Sequence, residues 1–227
     1  MKAILIPVKE FSEAKKRLAP HFPPGDRAAL AEAMCDDFFR VVAATRCADR
    51  VFVISKEPGA LTRAHALGWE TIVESHQTSE SDSVDAGARY CAAQGVQALL
   101  RLPVDLPLVE PADIAAVFDQ LQAAPSAVMV PSSDGTGTNA LLRSPAVLFP
   151  SRFGTNSFPR HLAEAERSGA RIRILRNPRL ELDIDELEDL RRLANRLRPD
   201  SATARWLAER QLSTSPNLSL QIQQNHP

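Results

Sequence analysis

The feature that most constrains this chain is an alternation. Short apolar runs of strand length take turns with longer segments of helical spacing throughout the first half. Residues 3–8 read as a buried strand. Residues 26–44 read as a helix, with Leu30, Met34, Phe38 and Val41 at helical spacing. Arg50–Ser55, Glu70–Val73 and residues 98–104 read as strands, with helices at 58–67, stopping at Gly68, and at 81–94. The alternation predicts an α/β fold: a Rossmann-like, mostly parallel sheet flanked by helices. Such sheets bind ligands beyond the carboxyl ends of their strands, so residues just past each strand matter most.

The second half is less regular. Residues 111–122 read as a helix with proline in its first turn. Residues 127–131 read as a strand, with 139–143 pairing nearby. A helix at 157–168, strands at 171–176 and 181–185, and helices at 186–197 and 201–211 complete the body. No repeat or linker interrupts residues 1–211, which predicts one domain. From Leu212 the chain is rich in Ser, Gln and Asn, so 212–227 is expected to be a mobile tail.

Composition narrows the function. Hydrophobic residues make up 44% of the 227, enough for a buried core. The net charge of −1 gives no global field for nucleic acid. Cys35, Cys47 and Cys91 are scattered, without a Cys-x-x-Cys pair, so no disulfide framework or zinc site is expected. The apolar run before Pro7 is too short for a signal peptide, and no stretch would span a bilayer. A soluble cytoplasmic protein is expected. Nothing fixes the oligomeric state.

The segment Leu180-Glu181-Leu182-Asp183-Ile184-Asp185 carries two acids on one face, because side chains alternate along a strand. Like charges that close call for a cation between them, most simply a divalent metal with oxygen ligands. Asp105, past another apolar run, is the third candidate. Asp185 could also cap the next helix, with Glu188 completing a capping box. Three carboxylates at strand ends point to metal-assisted phosphoryl or nucleotidyl transfer.

The loop after the first strand holds Lys9, Lys15, Lys16 and Arg17. It lacks the glycines of a Walker loop, but its cations could hold a triphosphate. Lys9, Lys15, Arg17 and Asp105 are the candidate catalytic residues, and Pro7, Lys9 and Ser83 the candidate nucleotide contacts. Residues 132–139 form either an anion nest or an ordinary hairpin loop. Gly154 precedes a helix for which Ser157 is a plausible N-cap, and an exposed helix N-terminus binds phosphate or carboxylate. His161, in that helix, is either a ligand contact or structural. Ser79 to Asp85 offers hydroxyls and acids for a ribose or base edge, or a plain cap.

Taken in order, several of these segments resemble one family. They are Ile6-Pro7-Val8-Lys9 with Ala14-Lys15-Lys16-Arg17-Leu18, Asp105-Leu106-Pro107-Leu108, and Gly135-Thr136-Gly137-Thr138-Asn139-Ala140-Leu141. Phe153-Gly154 with Ser157 and His161, and Leu182-Asp183-Ile184-Asp185, complete the set. Together they resemble the guanylyltransferases that activate a phospho-acid in biosynthesis of the deazaflavin coenzyme F-420, with phosphoenolpyruvate or 2-phospho-L-lactate as acceptor. The resemblance implies a nucleotide-diphosphosugar-transferase-like fold. It implies magnesium on Asp105, Asp183 and Asp185, and a phospho-acid against Thr138, Asn139, Gly154, Ser157 and His161. Two segments depart from the pattern: Ser81-Asp82-Ser83-Val84 lacks a Leu-Asn pair, and Glu186-Leu187 stands where Thr-Pro is usual.

The expected reaction moves GMP from GTP onto the phosphate of a small phospho-carboxylate, releasing pyrophosphate. Phosphoenolpyruvate is favoured over 2-phospho-L-lactate and 3-phospho-D-glycerate. Two rivals remain: a nucleotidyltransferase for a sugar phosphate or a molybdopterin-type acceptor, and a nonenzymatic nucleotide-binding domain.

Overall fold

The computed structural model describes residues 1–193 and 195–210; the expected tail lies outside the described residues. Its strands are β1 (Lys2–Val8), β2 (Arg50–Ser55), β3 (Glu70–Val73), β4 (Ala98–Arg101), β5 (Ser126–Pro131), β6 (Thr138–Ser144) and β7 (Arg171–Ile174). They form one sheet in the order β3-β2-β1-β4-β6-β5-β7. The β1–β2, β1–β4, β2–β3 and β5–β7 pairs are parallel; β6 runs antiparallel to β4 and β5. The helices are α1 (Pro24–Ala44), α2 (Pro58–Ala66), α3 (Glu80–Ala93), α4 (Pro111–Asp119), α5 (Ser157–Arg167), α6 (Leu187–Leu193) and α7 (Ala202–Glu209).

The central strand shows why the sequence takes this form. In β1, Ile4, Ile6 and Val8 enter a core with Phe38 and Val42 of α1 and Phe118 of α4. Ala3 and Leu5 enter the opposite core with Val84, Ala88 and Cys91 of α3. A strand covered on both faces needs a continuous apolar run. Gly87 lets α3 lie close: a Cβ there would stand 2.8 Å from Leu5 Cδ2.

A third core positions the site. Leu18, Leu30, Met34, Leu182, Ile184, Trp206 and Leu207 pack together, joining α1 to the C-terminal helices. Buried Asp37 secures α7 by accepting the Ala202 and Thr203 N–H groups, both at 2.8 Å.

Several sequence expectations need correction. Residues 181–185 are not a strand. Both edges of β4 are already taken, by β1 and β6, so this segment crosses the carboxyl end without joining the ladder, held by single backbone bonds from the Ser133 N–H to the Glu181 carbonyl and from the Ile184 N–H to the Asp105 carbonyl. Its alternation survives because Leu182 and Ile184 are still pulled into a core. β4 stops at Arg101, two residues before Pro103, which has no N–H for a ladder. Helices α4, α6 and α7 are shorter than expected. Asp189, not Glu188, accepts the backbone N–H groups of Asp185 and Glu186, at 3.0 and 2.8 Å. The residue capping α5 is Asn156, in left-handed conformation, so Ser157 is the first helical residue instead.

Candidate active site

Beyond β4, an ammonium sits among acids. Lys15 lies between two short 3-10 turns with φ +53°, and its side chain is almost wholly buried. Its Nζ stands 2.7 Å from Asp105 Oδ2 and 3.4 Å from Asp185 Oδ1, and also donates to the Ile184 carbonyl. Burial alone would lower the Lys15 pKa, but Asp105 and Asp185 outweigh it and hold it up. Burial likewise opposes the charge on Asp105, and Lys15 overcomes it, holding the carboxyl below its usual range. Arg17 is exposed and reaches Asp185 Oδ2 at 3.4 Å. Lys9 is exposed and makes no hydrogen bond or ion pair among the described residues.

Asp183 has no such cation. Burial, then Asp105 and Asp185, push its pKa up to about 6, and Asn139 Nδ2 donates to it at 3.2 Å. Burial also raises Asp185, against the pull of Lys15. Among the described residues, no three His, Cys, Asp or Glu side chains are gathered to hold a metal ion. The Lys15 ammonium already serves Asp105 and Asp185. The donor chemistry nevertheless fits magnesium, which takes one or two carboxylates plus phosphate oxygens and water rather than an all-protein cage. Asp183, crowded by like charges, is the carboxylate most in need of a cation.

On the β6 side the expected residues converge, though several are spent on one another. Ser157 Oγ accepts the Thr138 N–H at 2.8 Å. Buried His161 accepts the Arg152 N–H on Nε2 at 2.7 Å, so Nδ1 carries the proton and faces Thr138 Oγ1 at 3.0 Å. Burial, then Arg101 and Arg143, push the His161 pKa down to about 3. His161 is therefore a neutral brace with both nitrogens in use. The 132–139 loop is the hairpin alternative, not an anion nest. Gly135 N–H donates to the Ser132 carbonyl, Thr136 N–H to Asp134, and Gly137 N–H to Ser132 Oγ. By contrast, the Gly154, Thr155 and Asn156 N–H groups meet no protein acceptor among the described residues. Gly154, at φ +104°, turns this stretch into α5, and a Cβ there would meet nothing within 4 Å.

The segment opening α3 is likewise committed internally. Ser79 caps the helix through the Asp82 N–H, Ser81 Oγ accepts the Phe153 N–H, and Asp85 accepts the Ser151 N–H. Ser83 is buried and donates to Glu74. Pro7 lies in β1, paired with Ile54.

Sequence reasoning missed three residues. Buried Arg101 donates to the Thr138 and Asn139 carbonyls at 3.3 and 3.2 Å, pairs with Glu80, and lies 4.1 Å from the Phe153 ring centre. Burial pushes its pKa down to about 10, against the pull of Asp105 and Asp183. The signal was an arginine inside an apolar strand. Glu74 and Gln77, just past β3, were legible by the strand-end rule alone.

A doubly wound sheet with an ammonium–carboxylate cluster beyond its carboxyl ends defines the class, a nucleotidyltransferase of nucleotide-diphospho-sugar-transferase-like fold. The fold is shared with a Desulfovibrio desulfuricans G20 structure named for the nucleotide-diphospho-sugar transferases, at TM-score 0.73 and 18% identity, covering 94% of this chain and 99% of that one. It is shared also with a nucleotidyl transferase from Methanothermobacter thermautotrophicus, at TM-score 0.60 and 16% identity over 85% and 95% of the two chains. The chain belongs to the family described as guanylyl transferase CofC like, whose model matches residues 1–221. Among its relatives, the phosphoenolpyruvate guanylyltransferase of Rubrobacter xylanophilus is 40% identical over 83% of this chain and 91% of its own. The 2-phospho-L-lactate guanylyltransferase of Methanothermobacter thermautotrophicus is 32% identical over 82% and 81%.

Proposed function

We propose that this protein transfers GMP from GTP to the phosphate of phosphoenolpyruvate, releasing pyrophosphate, as a cytoplasmic step of coenzyme F-420 biosynthesis. The observation that carries the reading is the Lys15–Asp105–Asp185 cluster beyond β4, with Asp183 beside it, in a chain of this family. The attacking oxygen belongs to a phosphate that is already anionic, so no strong base is needed. Catalysis is then positioning and charge stabilisation.

Lys15 would move from the carboxylates to the triphosphate, and exposed Lys9 and Arg17 would steady the departing pyrophosphate. Magnesium held by Asp183 with Asp105 or Asp185 would supply charge neutralisation at the phosphates. The free N–H groups of Gly154, Thr155 and Asn156, at the positive end of α5, suit one anionic group of the acceptor. Thr138 and Asn139, fixed from behind by Arg101, Ser157 and His161, wall that side. Phosphoenolpyruvate fits the name carried by several relatives.

The test is pyrophosphate release from GTP with phosphoenolpyruvate, 2-phospho-L-lactate and 3-phospho-D-glycerate in turn. Fastest release with phosphoenolpyruvate supports the reading. Release only with a sugar phosphate would transfer the protein to the sugar-nucleotide enzymes.

A further inference from the structure

Away from the acid cluster, three side chains lock together across the carboxyl ends of β1, β2 and β3. Glu74 directly follows β3, and its N–H donates to the Ser55 carbonyl at the end of β2, at 2.9 Å. Its Oε1 accepts the hydroxyl of buried Ser83. Its Oε2 accepts from Gln77 Nε2 at 2.7 Å, and the same nitrogen donates to the Val8 carbonyl, at the end of β1, at 2.9 Å.

The hydrogen-bond inventory of this edge is lopsided. Both partners of Gln77 Nε2 are acceptors, so the amide orientation is fixed and its two protons are spent. The Ser83 proton is spent on Glu74. What remains is acceptor capacity: Gln77 Oε1 accepts nothing among the described residues, and each Glu74 oxygen keeps a further lone pair. A triad whose spare side-chain capacity is all acceptor suits a ligand edge that offers adjacent donors. Among the nucleobases, guanine has that pattern in N1–H beside the exocyclic amine. Adenine and cytosine present a ring acceptor next to their amine, and uracil has one N–H between two carbonyls.

The placement suits one nucleotide. β3 and β4 stand three strand spacings apart, about 14 Å at roughly 4.8 Å each. Lys9 follows Val8, between the two clusters. A triphosphate at Lys15 and Asp105 would extend its base along the strand ends towards Glu74.

We infer that Glu74 and Gln77 are the specificity-determining pair of the nucleotide site, reading guanine through N1–H and the exocyclic amine, with Ser83 as their brace. The inference rests on the guanylyltransferase reading. It replaces a direct nucleotide contact for Ser83 by a supporting one.

Inosine triphosphate keeps the guanine N1–H and lacks the amine, so it isolates the contact. Pyrophosphate release is measured with GTP, inosine triphosphate and ATP on the native protein, Glu74→Gln and Gln77→Ala, with calorimetric binding of GDP and IDP alongside. The native protein should favour GTP over inosine triphosphate by about tenfold or more, the worth of one hydrogen bond to a charged group. Glu74→Gln should bring that ratio close to one by lowering GTP turnover more than turnover of inosine triphosphate. Gln77→Ala, which leaves the Ser83–Glu74 bond in place, should lower the ratio in the same direction. GTP turnover with an unchanged ratio in both variants, or an equal loss on both nucleotides, overturns this inference and leaves the guanylyltransferase reading standing. No GTP turnover by the native protein with any of the three acids overturns both.

Discussion

Lys15 Nζ lies 2.7 Å from Asp105 Oδ2, across 90 positions of sequence, and the two groups hold each other charged in a largely buried setting. Removing one partner strands the other. Lys15→Met should lower turnover at least 100-fold and cost roughly 1–3 kcal/mol of stability, since a buried carboxylate loses its cation. The double variant Lys15→Met/Asp105→Asn should recover most of the stability and none of the activity. Urea unfolding beside a pyrophosphate assay reads both, and full activity in Lys15→Met would remove Lys15 from the chemistry.

Asp183 and Asp185 stand together without a cation of their own for Asp183. Asp183→Asn and Asp185→Asn keep shape and relieve repulsion, so thermal stability should hold or rise slightly. Turnover should fall to background in each, and a chelator should do the same to the native protein. Turnover that survives a chelator would end the magnesium assignment.

The neutral, buried His161 makes a pH prediction with a definite sign. Its pKa falls from 6.5 to about 3 on folding, so below 6.5 the unfolded chain takes up a proton that the folded chain refuses. Stability attributable to this group should decline as pH falls from about 6.5 towards 3, by on the order of 1.4 kcal/mol per pH unit. His161→Gln should flatten that part of the profile. An unchanged slope in denaturant titrations from pH 7 to pH 4 would show that His161 protonates in the folded state.

Ser157 and Gly154 would act on the proposed acceptor side by different physics. Ser157→Ala leaves the buried Thr138 N–H unpaired and should cost roughly 1–3 kcal/mol. Gly154→Val meets no steric neighbour, so its cost is backbone strain at φ +104°. Each should raise KM for phosphoenolpyruvate more than KM for GTP. A selective effect on GTP would place these residues on the nucleotide instead.

The order of the residues alone set the alternation of strands and helices, and with it the sheet edge that carries the candidate site. Period-2 and period-3.6 spacing are local properties, and burial on both faces is written directly into the run from Ala3 to Val8. It also determined which way Asp183 and Asp185 point, because Leu182 and Ile184 seek a core whether or not the segment pairs. Three-dimensional packing settled that this segment is no strand, since whether a strand edge is free depends on β6 having filled the place beside β4. It alone decided that Lys15 meets Asp105 and Asp185, that His161 and the 135–137 N–H groups are consumed internally, and that Glu74, Gln77 and Ser83 converge. Lys15 with Asp105 and His161 with Thr138 join residues far apart in the chain, while Gly137 with Ser132 and Gln77 with Glu74 are near neighbours; in both cases the choice of partner is made by how the loops pack, which leaves no periodicity in the sequence.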